Sequence, residues 1–219
     1  FNALAPASKT FQLPAKIPEE GRLTEGPVFG EPVDEVDAGV GDWPTFRGNV
    51  QRSGASAKGL VGNLDESWNA ELGGRLSALT IVKDKVYVAQ IDQHTLHALS
   101  SSTGEKQWKF MAGARIDSPP AYWKGRLVFG SADGSVYCLR AKDGALIWKF
   151  RAAPVDRRLM AFEQIESVWP VHGTVLVEDG VASFVAGRST FLDHGLRYLQ
   201  LDVKTCLLYT SDAADDGLS

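Results

Sequence analysis

Tryptophan returns at a fixed interval along this chain, and few folds accommodate such spacing. Trp68, Trp108 and Trp148 are successively 40 residues apart, and Gly104 and Gly144 each lie four residues before the next tryptophan. A fixed period of about 20 to 50 residues is typical of repeat architectures, in which one supersecondary unit stacks against copies of itself. The spacing therefore predicts a repeat protein whose unit is about 40 residues long.

Each unit contains short strand-like runs separated by turn residues. In the second unit, Asp133-Gly134 separates Arg126–Gly130 from Ser135–Leu139, and Asp143-Gly144 precedes the run that holds Trp148. Such turns join neighbouring antiparallel strands. A single meander cannot bury both of its faces, whereas copies stacked around an axis can. We therefore predict an all-β fold, a partial β-propeller of four-stranded antiparallel blades, with tryptophan between adjacent sheets and glycine at positive φ.

The same residues resemble a known family. Ala98–Trp108 is similar to the tryptophan-docking repeat of PQQ-like (quinoprotein-type) β-propellers, A-x-D-x-x-T-G-x-x-x-W, and Cys138–Trp148 keeps its glycine and tryptophan. A third copy begins at Leu201–Thr205, and Asp42–Asn49 resembles the opening segment of that family. Seven or eight blades are usual there, so the resemblance implies a fragment that lacks the remaining blades.

The resemblance implies two main functions. One is a non-enzymatic binding or scaffold module, similar to outer-membrane-assembly propellers, that has protein partners and is periplasmic or exported. The alternative is a fragment of a PQQ-dependent (quinoprotein) alcohol dehydrogenase, which would bring PQQ and calcium. A third is a sensor or accessory domain of a longer chain. We favour the scaffold, for which no cofactor and no catalytic residue is predicted.

Composition excludes several other classes. The net charge is −4 with no basic block, which gives nucleic-acid binding no electrostatic support. There is no apolar run long enough for a transmembrane helix. Two cysteines do not make a disulfide framework, and we interpret Cys138 as a buried apolar residue. His94 and His97 are predicted to point to opposite faces of a strand, so no metal site is expected.

An insertion follows the second unit and holds the candidate binding residues. The connection from Trp148 to Trp169-Pro170 is about ten residues longer than the one from Trp108 to Pro119-Pro120. Loops of this kind commonly carry binding groups. The candidates are Arg157, Arg158, Glu163 and Glu166. We expect the two arginines to contact an acidic ligand or partner, the alternative being an internally ion-paired loop. A short helical turn is predicted over residues 159–165, with its apolar side facing down.

The two ends differ from the repeat. Residues 1–41 are rich in proline and predict an irregular linker, or a segment draped over a neighbouring domain and anchored by Phe11, Leu13 and Phe29. The partial propeller is expected over residues 42–205, with about three blades. Residues 206–216 resemble the translation of a sequencing-library adapter, so a non-native tail is expected over 206–219, and no disulfide is proposed for Cys206.

Overall fold

Three antiparallel meanders follow one another along the chain, which confirms the predicted partial propeller. The computed structural model describes residues 13–14, 17–18, 20–56, 58–59, 62 and 64–213. Blade 1 consists of β2 (Thr80–Val82), β3 (Lys85–Gln90), β4 (Thr95–Ser100) and β5 (Lys106–Met111). Blade 2 consists of β6 (Ala121–Trp123), β7 (Arg126–Ser131), β8 (Ser135–Arg140) and β9 (Leu146–Arg151). Blade 3 consists of β12 (Leu176–Glu178), β13 (Val181–Ala186), β14 (Arg197–Asp202) and β15 (Leu208–Ala213).

Two further elements lie outside the three meanders. The strand β1 (Leu23–Glu25) pairs with the outer edge of β9, so that the sheet of blade 2 has five strands. The strands β10 (Arg158–Ala161) and β11 (Gln164–Ser167) form a separate hairpin between blades 2 and 3. Among the described residues, no helix has the length and apolar character needed to cross a lipid bilayer.

Each blade has the same irregularity in its outer pair of strands. The register shifts between Ala98 and Leu99 in β4, between Cys138 and Leu139 in β8, and between Gln200 and Leu201 in β14. A bulge adds twist to a strand pair and is a conserved kind of local feature within a fold. Its recurrence at the matching position shows that the three meanders are structural copies of one unit.

The tryptophans join neighbouring blades as the spacing predicts. Trp68, Trp108 and Trp148 donate hydrogen bonds from Nε1 to Ser101 O (2.9 Å), Ala141 O (3.3 Å) and Val203 O (2.9 Å), each in the next unit along the chain. The indoles of Trp68 and Trp108 lie against Gly104 and Gly144, which have φ values of +72° and +73°. These two indoles thus lie against the next unit along the chain, where a glycine at positive φ leaves room for them.

The core lies between the blades. One cluster joins blades 1 and 2 and includes Leu96, Phe129 and Leu139, and a second joins blades 2 and 3 and includes Trp148 and Leu199. Strands β7 and β8 are buried along almost their whole length because blade 2 has a neighbour on both faces. Cys138 is fully buried in this core, as expected, and burial raises the pKa of its thiol.

Successive antiparallel strands place their connections at two opposite ends of the propeller. We call one end the turn face: it carries the short turns β2–β3, β4–β5, β6–β7 and β8–β9. We call the other end the loop face: it carries the connections β3–β4, β5–β6 and β7–β8, and the hairpin of β10 and β11.

Residues 22–44, which we call the strap, run along the outside of blade 2 and over the turn face. Arg22 is buried, donates to Arg151 O (2.9 Å) and lies over the ring of Phe150. Leu13 and Phe29 pack against the core, as the draping alternative anticipates, and Phe11 lies outside the described residues. At its end the strap pairs Trp43 with Ile81 of β2. The linker interpretation did not anticipate the added strand β1.

Blade 3 is completed by residues in the segment expected to be non-native. β15 begins at Leu208 and pairs with β14 through main-chain hydrogen bonds, which need no particular side chains. Cys206 occupies the position that glycine has in the first two units, with φ +58° and its N–H bonded to Asp202 O at 2.8 Å. The non-native origin of this segment stays a prediction.

Candidate functional site

The insertion forms a hairpin and not the short helical turn predicted over residues 159–165. Ala161 pairs with Gln164, so Phe162 and Glu163 alone make the turn, with φ values of +50° and +62°. Positive φ at both central residues is the mark of the tight turns that suit the right-handed twist of a hairpin. The helical prediction was wrong because the turn contains no glycine or asparagine, the usual signal for this conformation.

The hairpin carries apolar side chains that point into solvent. Met160 and Ile165 face each other across the strand pair and are 54% and 60% exposed, and Phe162 at the tip is 76% exposed. The expectation that the apolar side of this segment faces down is therefore also wrong for these residues. Contiguous exposed apolar side chains with polar neighbours are typical of an interaction site on a water-soluble surface.

The hairpin is held against blade 1 through its second strand. Gln164 Oε1 accepts a hydrogen bond from His94 Nε2 at 2.8 Å, and Gln164 Nε2 donates to Asp92 O at 3.2 Å. His94 itself lies at positive φ at the end of the β3–β4 connection. The hairpin thus reaches across blade 2 to touch the loop face of blade 1.

A buried carboxylate holds the base of the hairpin between blades 2 and 3. Glu166 is 2% exposed and forms ion pairs with Arg115 (Oε2 to Nη2, 2.8 Å) and Arg188 (Oε1 to Nη2, 2.7 Å). Arg188 also donates to Ser167 O, and the Arg115 guanidinium lies 4.7 Å from the centre of the Phe162 ring. Two arginines compensate one desolvated carboxylate, so the group stays paired although it is buried.

A second ion pair continues this network towards the next blade. Asp117 lies 3.3 Å from Arg115 Nε and 2.6 Å from Nδ1 of His172. Burial opposes ionisation of Asp117, but the hydrogen bond with His172 and the charge of Arg115 outweigh it, and the pKa of Asp117 is lowered. The β5–β6 connection and the segment before β12 are therefore linked by a hydrogen bond between side chains.

The four candidate binding residues do not form one surface cluster. Arg158 is exposed and pairs with Asp156 at 3.1 Å, and Glu163 is exposed at the hairpin tip. Arg157 is half-buried at the base, where its carbonyl accepts from Val168 N. Glu166 is a buried structural group. Contact of the two arginines with an acidic ligand stays a prediction.

Sequence reasoning missed three residues that hold the site together: Arg115, Arg188 and Gln164. A signal existed only for Arg115, which repeats Arg75 at an interval of 40 residues. The two arginines have matching roles, because Arg75 pairs with Asp92 at 2.7 Å on the same face. Arg188 and Gln164 belong to no repeat, so nothing in the pattern singles them out.

The loop-face carboxylates do not fit the calcium ion that the quinoprotein alternative implies. Calcium takes about six to eight oxygen ligands around one point. Asp92, Asp117 and Glu166 are each engaged by an arginine or a histidine, and no group of three metal-binding side chains occurs among the residues that the structure describes.

Comparison with known proteins gives one family match and two kinds of relative. The family model described as outer membrane protein assembly factor BamB matches residues 35–197. The dehydrogenase subunit of the quinone alcohol dehydrogenase of Komagataeibacter europaeus is 25% identical over 148 residues, 59% of this chain and 20% of that protein. Outer membrane protein assembly factor BamB of Yersinia pestis is 27% identical over 134 residues, 58% of this chain and 33% of that protein.

Solved structures agree on the fold. The quinohemoprotein alcohol dehydrogenase ADHIIG of Pseudomonas putida HK5 superposes with a TM-score of 0.67 at 18% identity, over 80% of this chain and 28% of that one. The enzyme of the same class from Comamonas testosteroni gives a TM-score of 0.65 at 19% identity, over 82% of this chain and 29% of that one. The chain therefore spans a third or less of the length of these relatives.

Proposed function

The chain belongs to the family of outer membrane protein assembly factor BamB, built from PQQ-like propeller repeats, and from this premise we propose that it is a non-enzymatic scaffold that binds partner proteins through its loop face. The partners would be other components of an outer-membrane assembly machinery, and the protein would act after export. The observation that carries this proposal is the hairpin of β10 and β11, which exposes Met160, Phe162 and Ile165.

The anchoring of the hairpin supports a binding role. Gln164 ties it to blade 1, and Glu166 ties it to Arg115 of blade 2 and Arg188 beside blade 3. A surface that is rigid before binding loses little conformational entropy when a partner docks. The exposed apolar side chains do not contribute to the propeller core, so a partner that covers them would remove unfavourable apolar surface from water.

The proposal is tested by crosslinking in the complete protein. A photoreactive amino acid at Met160 is expected to crosslink to a component of the outer-membrane assembly machinery in the source cells. The same probe at Lys109, exposed on the edge strand β5, serves as the matched control. The partner that is identified is then purified and its Kd measured for Met160→Asp combined with Ile165→Asp. A Kd at least tenfold weaker is expected, with an unchanged melting temperature.

Two further variants separate the apolar from the charged contribution. Arg157→Ala combined with Arg158→Ala tests whether an acidic partner surface contacts the arginines, and a weaker Kd with a reduced dependence on salt is expected. If both double variants bind the purified partner as the unaltered protein does, the loop face is not the docking surface.

A second candidate, a quinoprotein alcohol dehydrogenase, is favoured by the similarity to quinone alcohol dehydrogenase subunits. Oxidation of a primary alcohol by the complete protein, supplied with PQQ and calcium and followed with a redox dye, would support it. Absence of PQQ-dependent dye reduction would count against this candidate and leave the scaffold proposal standing.

A further inference from the structure

On the turn face, a cavity lies between the strap and blades 1 and 2. Its volume is about 410 Å³, within the range of sites that bind small ligands or several side chains of a peptide. On one side it is bounded by strap residues of the segment 32–36. On the other it is bounded by the β2–β3 turn of blade 1, the β8–β9 turn of blade 2, and the rings of Tyr87 and Tyr122.

The propeller side of this cavity is basic. The cations that line it are Lys83, Lys85, Arg140 and Lys142, and the carboxylates are Asp84 and Asp143. Lys85 pairs with Asp84 at 3.0 Å and Arg140 with Asp143 at 2.8 Å. The described residues give Lys83 and Lys142 no salt bridge, and the strap carboxylates nearest to them are Asp34, which lines the cavity, and Asp42, whose Oδ1 accepts from Lys83 N.

The strap is acidic where it crosses this groove. Residues 31–37, Glu-Pro-Val-Asp-Glu-Val-Asp, contain four acids and no base. Glu31 pairs with Arg140 at 2.8 Å, and Glu35 pairs with Lys204 at 2.6 Å and with Arg126 at 3.6 Å. The strap is thus a short extended acidic segment that already lies on a basic surface.

The ion pairs of strap residues 31–37 are weak enough for a competing acidic ligand to replace them. Glu31 and Glu35 are 51% and 38% exposed, and ion pairs of exposed side chains contribute little to stability. The hydrogen bond from the Tyr122 hydroxyl to Val36 O (2.7 Å) holds the main chain. The firm anchors, β1 on β9 upstream and Trp43 on Ile81 downstream, lie outside residues 31–37. Within the segment, Val33 packs against the core and the Asp34 carbonyl lies against Gly125, so displacing residues 31–37 also costs these contacts.

We propose that the groove between blades 1 and 2 on the turn face is a binding site for an extended acidic peptide of a partner protein, and that strap residues 31–37 occupy its border as a ligand in cis. Proline in the strap favours the extended conformation, the lysines supply charge complementarity, and the tyrosine rings supply apolar surface, their hydroxyls being bonded to main-chain carbonyls. The tethered strap has a high effective concentration and competes with a peptide from outside. This site is independent of the hairpin on the loop face.

The test measures binding of a labelled synthetic peptide with the sequence of residues 29–38 to the complete protein. Glu31→Gln with Glu35→Gln weakens the cis contact, and this variant is expected to bind the peptide at least tenfold more tightly than the unaltered protein. Adding Lys83→Glu and Lys142→Glu is expected to reverse the gain. Adding Lys109→Glu, on the exposed edge strand β5, instead is the matched control and should change nothing.

Circular dichroism and melting temperature verify that each variant is folded. Binding is expected to weaken with salt, and a peptide with asparagine and glutamine in place of its acids should not bind. Absence of saturable binding by the folded Glu31→Gln, Glu35→Gln variant would overturn the proposal. Equal affinity for the neutral peptide, indifference to Lys83→Glu with Lys142→Glu, or a preference for anionic lipid vesicles over the peptide would overturn it as well.

Discussion

At the scale of single residues, the contact between an indole and the glycine of the next blade decides how the units join. A Cβ on Gly144 would lie 2.5 Å from Cε3 of Trp108, and the backbone there has φ +73°. Any side chain at position 144 would therefore overlap the indole and would also place an L-residue in a strained backbone conformation. The glycine and the tryptophan therefore form one unit of recognition, repeated by Gly104 and Trp68.

We predict that Gly144→Ala lowers the free energy of unfolding by about 2–4 kcal/mol, because left-handed strain and overpacking add. Denaturant unfolding of the complete protein measures the change. Gly173→Ala is the matched control, since nothing lies within 4 Å of an added Cβ there, and its effect should stay within about 0.5 kcal/mol. Equal effects of the two substitutions would show that the indole contact does not set the cost.

A second prediction concerns pH and the pair of Asp117 with His172. The pKa of Asp117 is lowered on folding, so the folded protein binds this proton less readily than the unfolded chain. The pair therefore stabilises the fold above the unfolded pKa of Asp117, near 3.8, and loses that contribution as the pH falls through the lower folded pKa. Asp117→Asn should cost about 1–2 kcal/mol at pH 7 and progressively less below pH 4.

Unfolding curves of Asp117→Asn and the unaltered protein at several pH values test this. Asp156→Asn, which removes an exposed pair with Arg158, is the control and should cost less than about 0.5 kcal/mol at any pH. A difference between Asp117→Asn and the unaltered protein that stayed constant from pH 7 to pH 3 would contradict the assignment.

At the scale of elements, the strap covers the outer edge strand of blade 2 and leaves that of blade 1 uncovered. β1 pairs with β9 of blade 2, and Gly26 continues the approach by donating its N–H to Ile147 O at 2.8 Å. A Cβ on Gly26 would collide with the main-chain carbonyl of Leu146. The equivalent edge strand of blade 1, β5, carries Lys106 and Lys109, and lysine on an exposed edge discourages pairing with another strand.

Gly26→Ala is predicted to detach β1 from β9. The amide of Arg151, which donates to Arg22 O at 2.8 Å, should then exchange its hydrogen at least tenfold faster in a native-state exchange experiment. Amides of β7 and β8 should keep their protection because β1 pairs only with β9. Glu25→Ala, an exposed change on the same strand, is the control, and faster exchange at Arg151 in that variant would refute the steric explanation.

The repeat and its docking residues could be predicted from the sequence, whereas the elements outside the repeat could not. The 40-residue spacing reveals the roles of Trp108 and Gly144, because the same indole–glycine contact is needed between each pair of neighbouring blades. Phe162-Glu163 forms a two-residue turn without a turn residue, since the contacts of Gln164 and Glu166 with three blades outweigh local propensity. β1 is only three residues long, too short for alternation to reveal it.

At the scale of the whole molecule, each blade contacts mainly the blades next to it along the chain, and blades 1 and 3 are not joined by a docking tryptophan. Trp148 is fully buried and joins blade 2 to blade 3, while Trp108 joins blade 1 to blade 2. Stability in such an array is close to a sum of unit terms and nearest-neighbour interfaces. The strap and the hairpin are the exceptions, because each touches more than two units.

Contact between neighbouring blades alone predicts a local effect of Trp148→Ala, which removes the indole and its hydrogen bond to Val203 O. The loss should be about 3–5 kcal/mol, typical of a large aromatic removed from a core. Hydrogen exchange should accelerate in β13 and β14 and stay unchanged in β3 and β4, since blade 1 does not contact the altered interface.

Trp148→Phe keeps most of the apolar contact and should cost only about 1–2 kcal/mol for the lost donor and the smaller ring. Uniform acceleration in all three blades would mean that the arc unfolds as one unit, and nearest-neighbour coupling would then be the wrong description.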